Sequence, residues 1–318
     1  MSSVDLVGLG SLLAIGLALA WLLVTAQTAW RLTHPVRRGD AARIARRLQA
    51  DPGELSPPAA CDSWTTLAGG CPVWEIAGDD AAGPVVVFCH GWGRSRHDAL
   101  DRFPAVRRSV SRLIALDLPG HGGSSSPRST LGAADHAPVE EIVRSLARAH
   151  ATPARSVVLW GWSLGAGVAL RAAVAAEAAA AVPIAGVIFE SGYRRAETPA
   201  RNVLIEASLP HRFTLGPALA ATGLLQGHGW RGFDRAALAA RLRAPLLVLH
   251  GEGDRVSPVD EAREIAEAAP GGVLDVVRGA GHRDLWGDAF AGASGERVRA
   301  FLGLLSSGSA RGEGLDDA

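Results

Sequence analysis

Six short apolar runs recur from residue 85 onward: 85–88, 113–116, 157–160, 186–189, 246–249 and 273–277. They are built from β-branched and aliphatic residues, and polar residues do not alternate through them. A strand with one wet face shows period-two alternation. Runs of this kind have to be covered on both faces, as strands inside a parallel sheet are. Between them lie segments of helical spacing at about 96–109, 135–150, 164–181, 258–269 and 285–306. Such alternation predicts a doubly wound α/β domain, a mostly parallel central sheet with helices on both faces. Two further runs near 63–67 and 72–76 predict a leading antiparallel hairpin. In these folds ligands bind beyond the carboxyl ends of the strands, so the residues just past each run matter most.

The run 157–160 leads into GWSLGAG at 161–167 and then into an Ala-rich helical stretch. Gly161, Ser163 and Gly165 form G-x-S-x-G. That pattern serves a sharp strand-to-helix turn, which lifts a serine hydroxyl over the sheet with a helix N-terminus behind it. A serine hydroxyl is a poor nucleophile near neutral pH. It needs a base within hydrogen-bond reach and a group to orient that base. The run 246–249 is followed by HGEGDRVSP, which places Asp254 in the next loop. The run 273–277 is followed by RGAGH, which places His282 in a loop of its own. Ser163, Asp254 and His282 are thus expected as nucleophile, orienting acid and general base. HGWGRS at 90–95 follows the first buried run, and the backbone N–H groups of Trp92 and Leu164 are the expected oxyanion donors. One such donor is worth ~2.7–4 kcal/mol.

HGWG, LIALDLPGHGGSS, GWSLGAG, LLVLHGEGDRVSP and GAGH occur in the order and spacing of the α/β-hydrolase superfamily. The chain resembles its membrane-anchored esterase/lipase-like and serine-aminopeptidase-like branch over about residues 70–305. The resemblance implies the same triad and oxyanion assignments and a carboxyl-ester hydrolase working through an acyl-enzyme, with no cofactor or metal. A peptidase or acyltransferase using the same triad, and a non-catalytic binding protein on the same fold, are the alternatives. Serine at the elbow separates the chain from superfamily branches that carry aspartate there, the haloalkane dehalogenases and epoxide hydrolases. Glu190, just past a core run, is the rival acid. His90 and His121 read as structural, Asp117 as a turn-former and Asp284 as a surface residue. His97, His211 and His228 read as loop or surface residues.

The N-terminus is of a different kind. Residues 6–26 carry no charge, and about 20 apolar residues suffice to cross the ~30 Å hydrocarbon core. The preceding residues include Asp5 and no arginine, which favours a retained anchor over a cleaved signal peptide. Arg31, Arg37, Arg38, Arg43, Arg46 and Arg47 follow, and positive flanks stay in the cytoplasm. The expectation is therefore a single-pass membrane protein with a cytoplasmic catalytic domain. Residues 1–30 form the anchor, 31–60 a basic juxtamembrane helix and Pro-rich linker, 61–306 the hydrolase domain, and 307–318 a disordered tail. The helix near 39–50 could lay its arginines on anionic headgroups or stand in solvent as a stalk.

The 32 basic and 32 acidic residues balance, which argues against nucleic acid as a partner; the expected partners are the membrane and a small ester or lipid. All the basic residues are arginine, so no lysine competes for a catalytic role. Cys61, Cys71 and Cys89 are too few and too irregular for a disulfide framework or a zinc site. The insertion at 193–243 is expected to cap the site. Its apolar residues, Leu204, Ile205, Leu209, Phe213, Leu215, Leu224, Leu225, Trp230 and Phe233, are expected mostly to pack the cap onto the domain, with one or two lining the pocket.

Overall fold

The computed structural model describes residues 3–148, 156–179, 183–227 and 234–312. Trp230, Phe233 and His228 lie outside them, as does 313–318. Eight strands form one sheet: β1 Cys61–Thr65, β2 Pro72–Ala77, β3 Val85–Cys89, β4 Arg112–Leu116, β5 Val157–Trp162, β6 Ile184–Glu190, β7 Leu246–Gly251 and β8 Gly272–Val277. Their order is β1-β2-β4-β3-β5-β6-β7-β8. β1 and β2 form the expected antiparallel hairpin, β2 runs antiparallel to β4, and all other pairings are parallel.

The helices are α1 Ser3–Thr33, α2 Asp40–Ile44, α3 Phe103–Val106, α4 Ala137–Arg148, α5 Leu164–Ala179, α6 Glu197–Glu206, α7 Leu215–Leu225, α8 Arg235–Ala239, α9 Val259–Ala268 and α10 Ala291–Gly312. The two faces of the sheet explain why the runs lacked polar alternation. Val87, Leu159, Val187 and Val248 point to one side, against α4, α5 and α9. Phe88, Trp160, Ile188 and Leu249 point to the other, against α3 and α10. β4 and β5 flank β3 on opposite sides, so the chain reverses its winding direction there. The crevice this opens at the carboxyl ends of β3 and β5 is where such folds bind ligands.

Two expected helices are shorter or displaced. The 96–109 stretch is a 3-10 turn Arg96–Asp101, the single turn α3, and a second 3-10 turn Arg107–Ser109. Pro104 has no N–H to donate and fits only a first helical turn, where it sits. The last helix begins at Ala291, because tight turns at 285–290 tuck Leu285 into the core. It then runs to Gly312, through half of the stretch expected to be an unstructured tail.

The juxtamembrane stretch also differs. α2 is five residues long, and Arg47 at φ +55° turns the chain away after it. Arg43 faces neither headgroups nor solvent. It is buried, with both terminal nitrogens on the Asp101 carboxylate at 2.7 and 3.2 Å. His97, expected at the surface, is buried too. Its Nε2–H donates to Asp40 at 2.6 Å and its Nδ1 accepts from the Ser95 hydroxyl at 2.9 Å. The segment after α1 is therefore clamped to the hydrolase domain.

α1 is apolar over Gly8–Thr33, a length of about 39 Å at ~1.5 Å per residue. It is long and apolar enough to cross a membrane. It also packs along α7. The Trp21 indole donates to Phe213 O at 2.9 Å, the Trp92 indole to Leu32 O at 3.0 Å, and the Ser129 N–H to Thr33 O at 2.8 Å. Arg37 donates to the carbonyls of Ser124 and Ser126.

Candidate active site

Ser163 sits between β5 and α5 at φ +55°. That left-handed conformation costs a non-glycine residue energy and is typical of a functional turn. Its own N–H donates to Glu190 O on β6 at 2.8 Å, which holds the turn in place. The flanking glycines are steric necessities. A Cβ on Gly161 would lie 2.1 Å from Gly165 O, and one on Gly165 would lie 2.1 Å from Cys89 O. α5 thus begins in contact with the end of β3.

The three residues expected to meet do meet. His282 Nε2 lies 3.0 Å from Ser163 Oγ, and His282 Nδ1 lies 2.7 Å from Asp254 Oδ2. The carboxylate can only accept, so the Nδ1 proton points at Asp254 and Nε2 is free to accept from the serine hydroxyl. Asp254 Oδ1 also accepts the N–H groups of Val256 and Ser257 at 2.9 and 2.8 Å. Burial by itself would raise the Asp254 pKa. Hydrogen bonds from His250, His282 and the Ser257 backbone, with the His282 charge, outweigh it and hold the group at about 2.

His250 is a site residue that sequence reasoning missed. It is fully buried at the end of β7, with Nε2 2.7 Å from Ser257 O and 3.3 Å from Asp254 Oδ2. Its only sequence signal is its place four residues before Asp254, which does not reveal that the loop folds back over the ring.

The loop after β3 lies against the elbow. A Cβ on Gly91 would come within 3.1 Å of the Trp162 ring and 3.4 Å of Ser163 Cβ. Among the described residues no protein acceptor engages the N–H of Trp92 or of Leu164. Leu164 opens α5, where the first N–H groups lack intrahelical partners. The Trp162 indole donates to His282 O at 3.3 Å, which ties the histidine loop to the elbow.

Glu190, the rival acid, is occupied elsewhere. It is fully buried, forms a bidentate pair with Arg102, and accepts the Trp160 indole at 2.8 Å. His90 donates from Nδ1 to Gly91 O at 2.8 Å and accepts the Leu118 N–H on Nε2 at 3.0 Å. Asp117 accepts from the Arg96 and Gly123 backbones. Asp284 is exposed and accepts from the Gly281 N–H. The three cysteines are unpaired, and burial raises the thiol of Cys71 to about 11. Among the described residues no His, Cys, Asp and Glu cluster is able to hold a metal.

A cavity of about 360 Å3 opens over Ser163 and His282. Leu204 and Leu209 of the cap line it, as do Val24, Gln27, Thr28 and Leu32 of α1. The N-terminal helix is thus part of the pocket wall, which nothing in its own apolar sequence revealed. The expectation for the cap is corrected in turn. Leu215 packs inward, but Ile205, Phe213, Leu224 and Leu225 are exposed. Composition alone does not tell an apolar face that packs on protein from one that does not.

An eight-stranded sheet with an antiparallel start, a serine elbow after β5 and convergent histidine and aspartate loops define an α/β-hydrolase. A sequence profile of the alpha/beta hydrolase family matches residues 86–293, and the chain belongs to that family. It is 26% identical over 245 residues to the magnesium-chelatase 30 kDa subunit of Rhodobacter capsulatus, covering 66% of this chain and 84% of that protein. It is 28% identical over 203 residues to human ABHD12B, covering 62% of this chain and 52% of that protein. The Pyrococcus furiosus esterase Pf2001 superposes with a TM-score of 0.65 at 20% identity, over 86% of this chain and 99% of the esterase. A membrane phospholipase A, described as a bacterial virulence factor, superposes at 0.58 and 16% identity, over 96% of this chain and 99% of its own. At these identities the solved structures show the shared fold.

Proposed function

We propose that the chain is a membrane-bound serine hydrolase that cleaves carboxylic esters through an acyl-enzyme. Ser163 Oγ attacks the ester carbonyl carbon and gives its proton to His282 Nε2. The carbonyl oxygen takes up the negative charge and is met by the N–H groups of Trp92 and Leu164. The C–O bond to the alcohol then breaks, and the leaving alkoxide takes the proton from Nε2. Water repeats the sequence on the acyl-enzyme and regenerates the serine. Asp254 keeps the imidazole in the productive tautomer and stabilises the imidazolium that forms twice per turnover.

The continuous chain of contacts from Asp254 through His282 to Ser163, at 2.7 and 3.0 Å, carries this reading. The cavity favours esters over aminoacyl amides, since among the described residues no acidic side chain lines it to receive an amine. Membrane attachment rests on α1, which keeps its length and apolarity while docked to the domain. The alignment to the membrane phospholipase A covers 96% of this chain and so reaches into α1. The arginines that follow α1 support a cytoplasmic catalytic domain.

A fluorophosphonate probe tests the chemistry. It is expected to label the wild-type protein and to leave Ser163→Ala and His282→Ala unlabelled. Equal labelling of Ser163→Ala would remove Ser163 as the nucleophile.

A further inference from the structure

Ester cleavage as described makes no use of the charge at the cavity rim. Four arginines, Arg31, Arg38, Arg94 and Arg283, line the cavity, and among the described residues no aspartate or glutamate does. Asp98 neutralises Arg94 through two hydrogen bonds, at 3.0 and 2.7 Å. No ion pair engages Arg31, Arg38 or Arg283 among the described residues. Arg31 lies in the last turn of α1, Arg38 in the segment just after it, and Arg283 directly after His282. Partial burial and then the positive fields of Arg94, Arg46 and Arg283 lower the Arg38 pKa, and the field of Asp98 offsets them only in part. Like charges held together in this way are relieved by an anion between them.

The cavity is also lined by apolar residues of α1 and the cap, Val24, Leu32, Val203, Leu204 and Leu209, and outside it the cap carries a bare apolar surface. α7 contains no charged residue and lies along α1. Phe213 just before it and Leu224 and Leu225 at its end are 74%, 66% and 78% exposed. The indole of Trp21 binds the Phe213 carbonyl. Trp21 precedes Arg31 by ten residues, which is about 15 Å along the helix axis. When α1 spans a bilayer, the cap is carried to the depth of Trp21. Its bare apolar side chains then meet acyl chains, and the arginines stand at headgroup level.

We propose that the substrate is a bilayer lipid ester with a phosphate headgroup, held at the phosphate by Arg31, Arg38 and Arg283. This rests on the serine-esterase reading of the same site. The acyl chain enters from the bilayer between α1 and the cap and lies along Val24, Leu204 and Leu209. The scissile carbonyl then stands at Ser163, between the apolar lining and the arginines. α1 serves as the wall that selects the substrate as well as the attachment.

Full-length protein in mixed micelles tests this with two lipids of one acyl chain, a 1-acylglycerol 3-phosphate and the neutral 1-acylglycerol. Charge-assisted binding of phosphate by several guanidinium groups predicts a kcat/KM ratio of about tenfold or more in favour of the phosphate lipid. Arg31→Gln, Arg38→Gln and Arg283→Gln combined should bring the ratio close to unity. Lysine at the same three positions should keep most of it. A wild-type ratio near unity, or a ratio that survives the glutamine changes, overturns the headgroup site. Inorganic phosphate in excess should suppress turnover of the phosphate lipid and leave the neutral lipid unaffected. Stimulation of neutral-lipid turnover by free phosphate would reassign the arginines to a bulk-anion site and overturn the proposal. Protein that turns over p-nitrophenyl butyrate but neither lipid overturns the lipid assignment and leaves the esterase standing. Protein that turns over none of the three defeats both.

Discussion

Asp254 is bound more tightly than a single contact with His282 requires. Two backbone N–H groups, the His282 ring and the His250 ring converge on one buried carboxylate. Asparagine at this position keeps the size but places an N–H donor where His282 or a backbone N–H already donates. We expect Asp254→Asn to lower kcat on p-nitrophenyl esters by ~10^3–10^4, with little change in KM, since the tautomer and not the pocket is lost. The same residue predicts a pH effect. Its pKa is about 2 in the folded chain and 3.8 as the reference value. The folded state therefore holds the proton less tightly, and the resulting stabilisation is present above about pH 4 and lost as pH falls toward 2. The gap in thermal midpoint between wild type and Asp254→Asn should be widest at neutral pH and close on acidification. A gap that widened in acid would contradict the sign.

At the scale of elements, the elbow depends on β5, α5 and the end of β3 approaching closer than any side chain permits. Gly161 and Gly165 face carbonyl oxygens at 2.1 Å from where a Cβ would stand. Backbone cannot swing aside as a long side chain can. We therefore expect Gly161→Ala or Gly165→Ala to cost more than ~3 kcal/mol, the upper end for overpacking. The measurement is the thermal midpoint in detergent. A variant within a degree or two of wild type would mean that α5 can shift at no cost. Gly93, with φ +68° and open space around its Cβ position, supplies the contrast. There alanine would meet backbone strain alone, a smaller penalty of about 1 kcal/mol.

At the scale of the molecule, two buried histidines make the fold acid-sensitive. His121 is held down to about 3, first by burial and then by the neighbouring charge of His90, and burial lowers His90 as well. Their rings are 5.1 Å apart in the loops beneath the site. The unfolded chain takes up these protons at higher pH than the folded one. Stability is therefore full above about pH 6.5 and declines as pH falls toward 3. A series of thermal midpoints from pH 8 to about pH 4 should show this decline, and His121→Gln should make it shallower. An unchanged slope in that variant would place the acid sensitivity elsewhere.

Local sequence carries the sheet and the identity of the residues brought to its rim. Strands buried on both faces leave an unbroken apolar record, and a tight strand-to-helix turn leaves glycines two positions either side of its serine. These are local demands, so local sequence records them. It also marked α1 as a possible span, since length and apolarity are properties of one segment. The packing of distant segments makes α1 a wall of the pocket, turns Arg43 and His97 inward, and brings His250 to Asp254. It also ties Glu190 to Arg102 and Trp160. Each of these depends on which distant surface a side chain meets. Arg102 and Glu190 lie 88 residues apart, and Trp21 and Phe213 lie 192 apart. No periodicity records pairings over such separations, because they are fixed by how the packed layers come together.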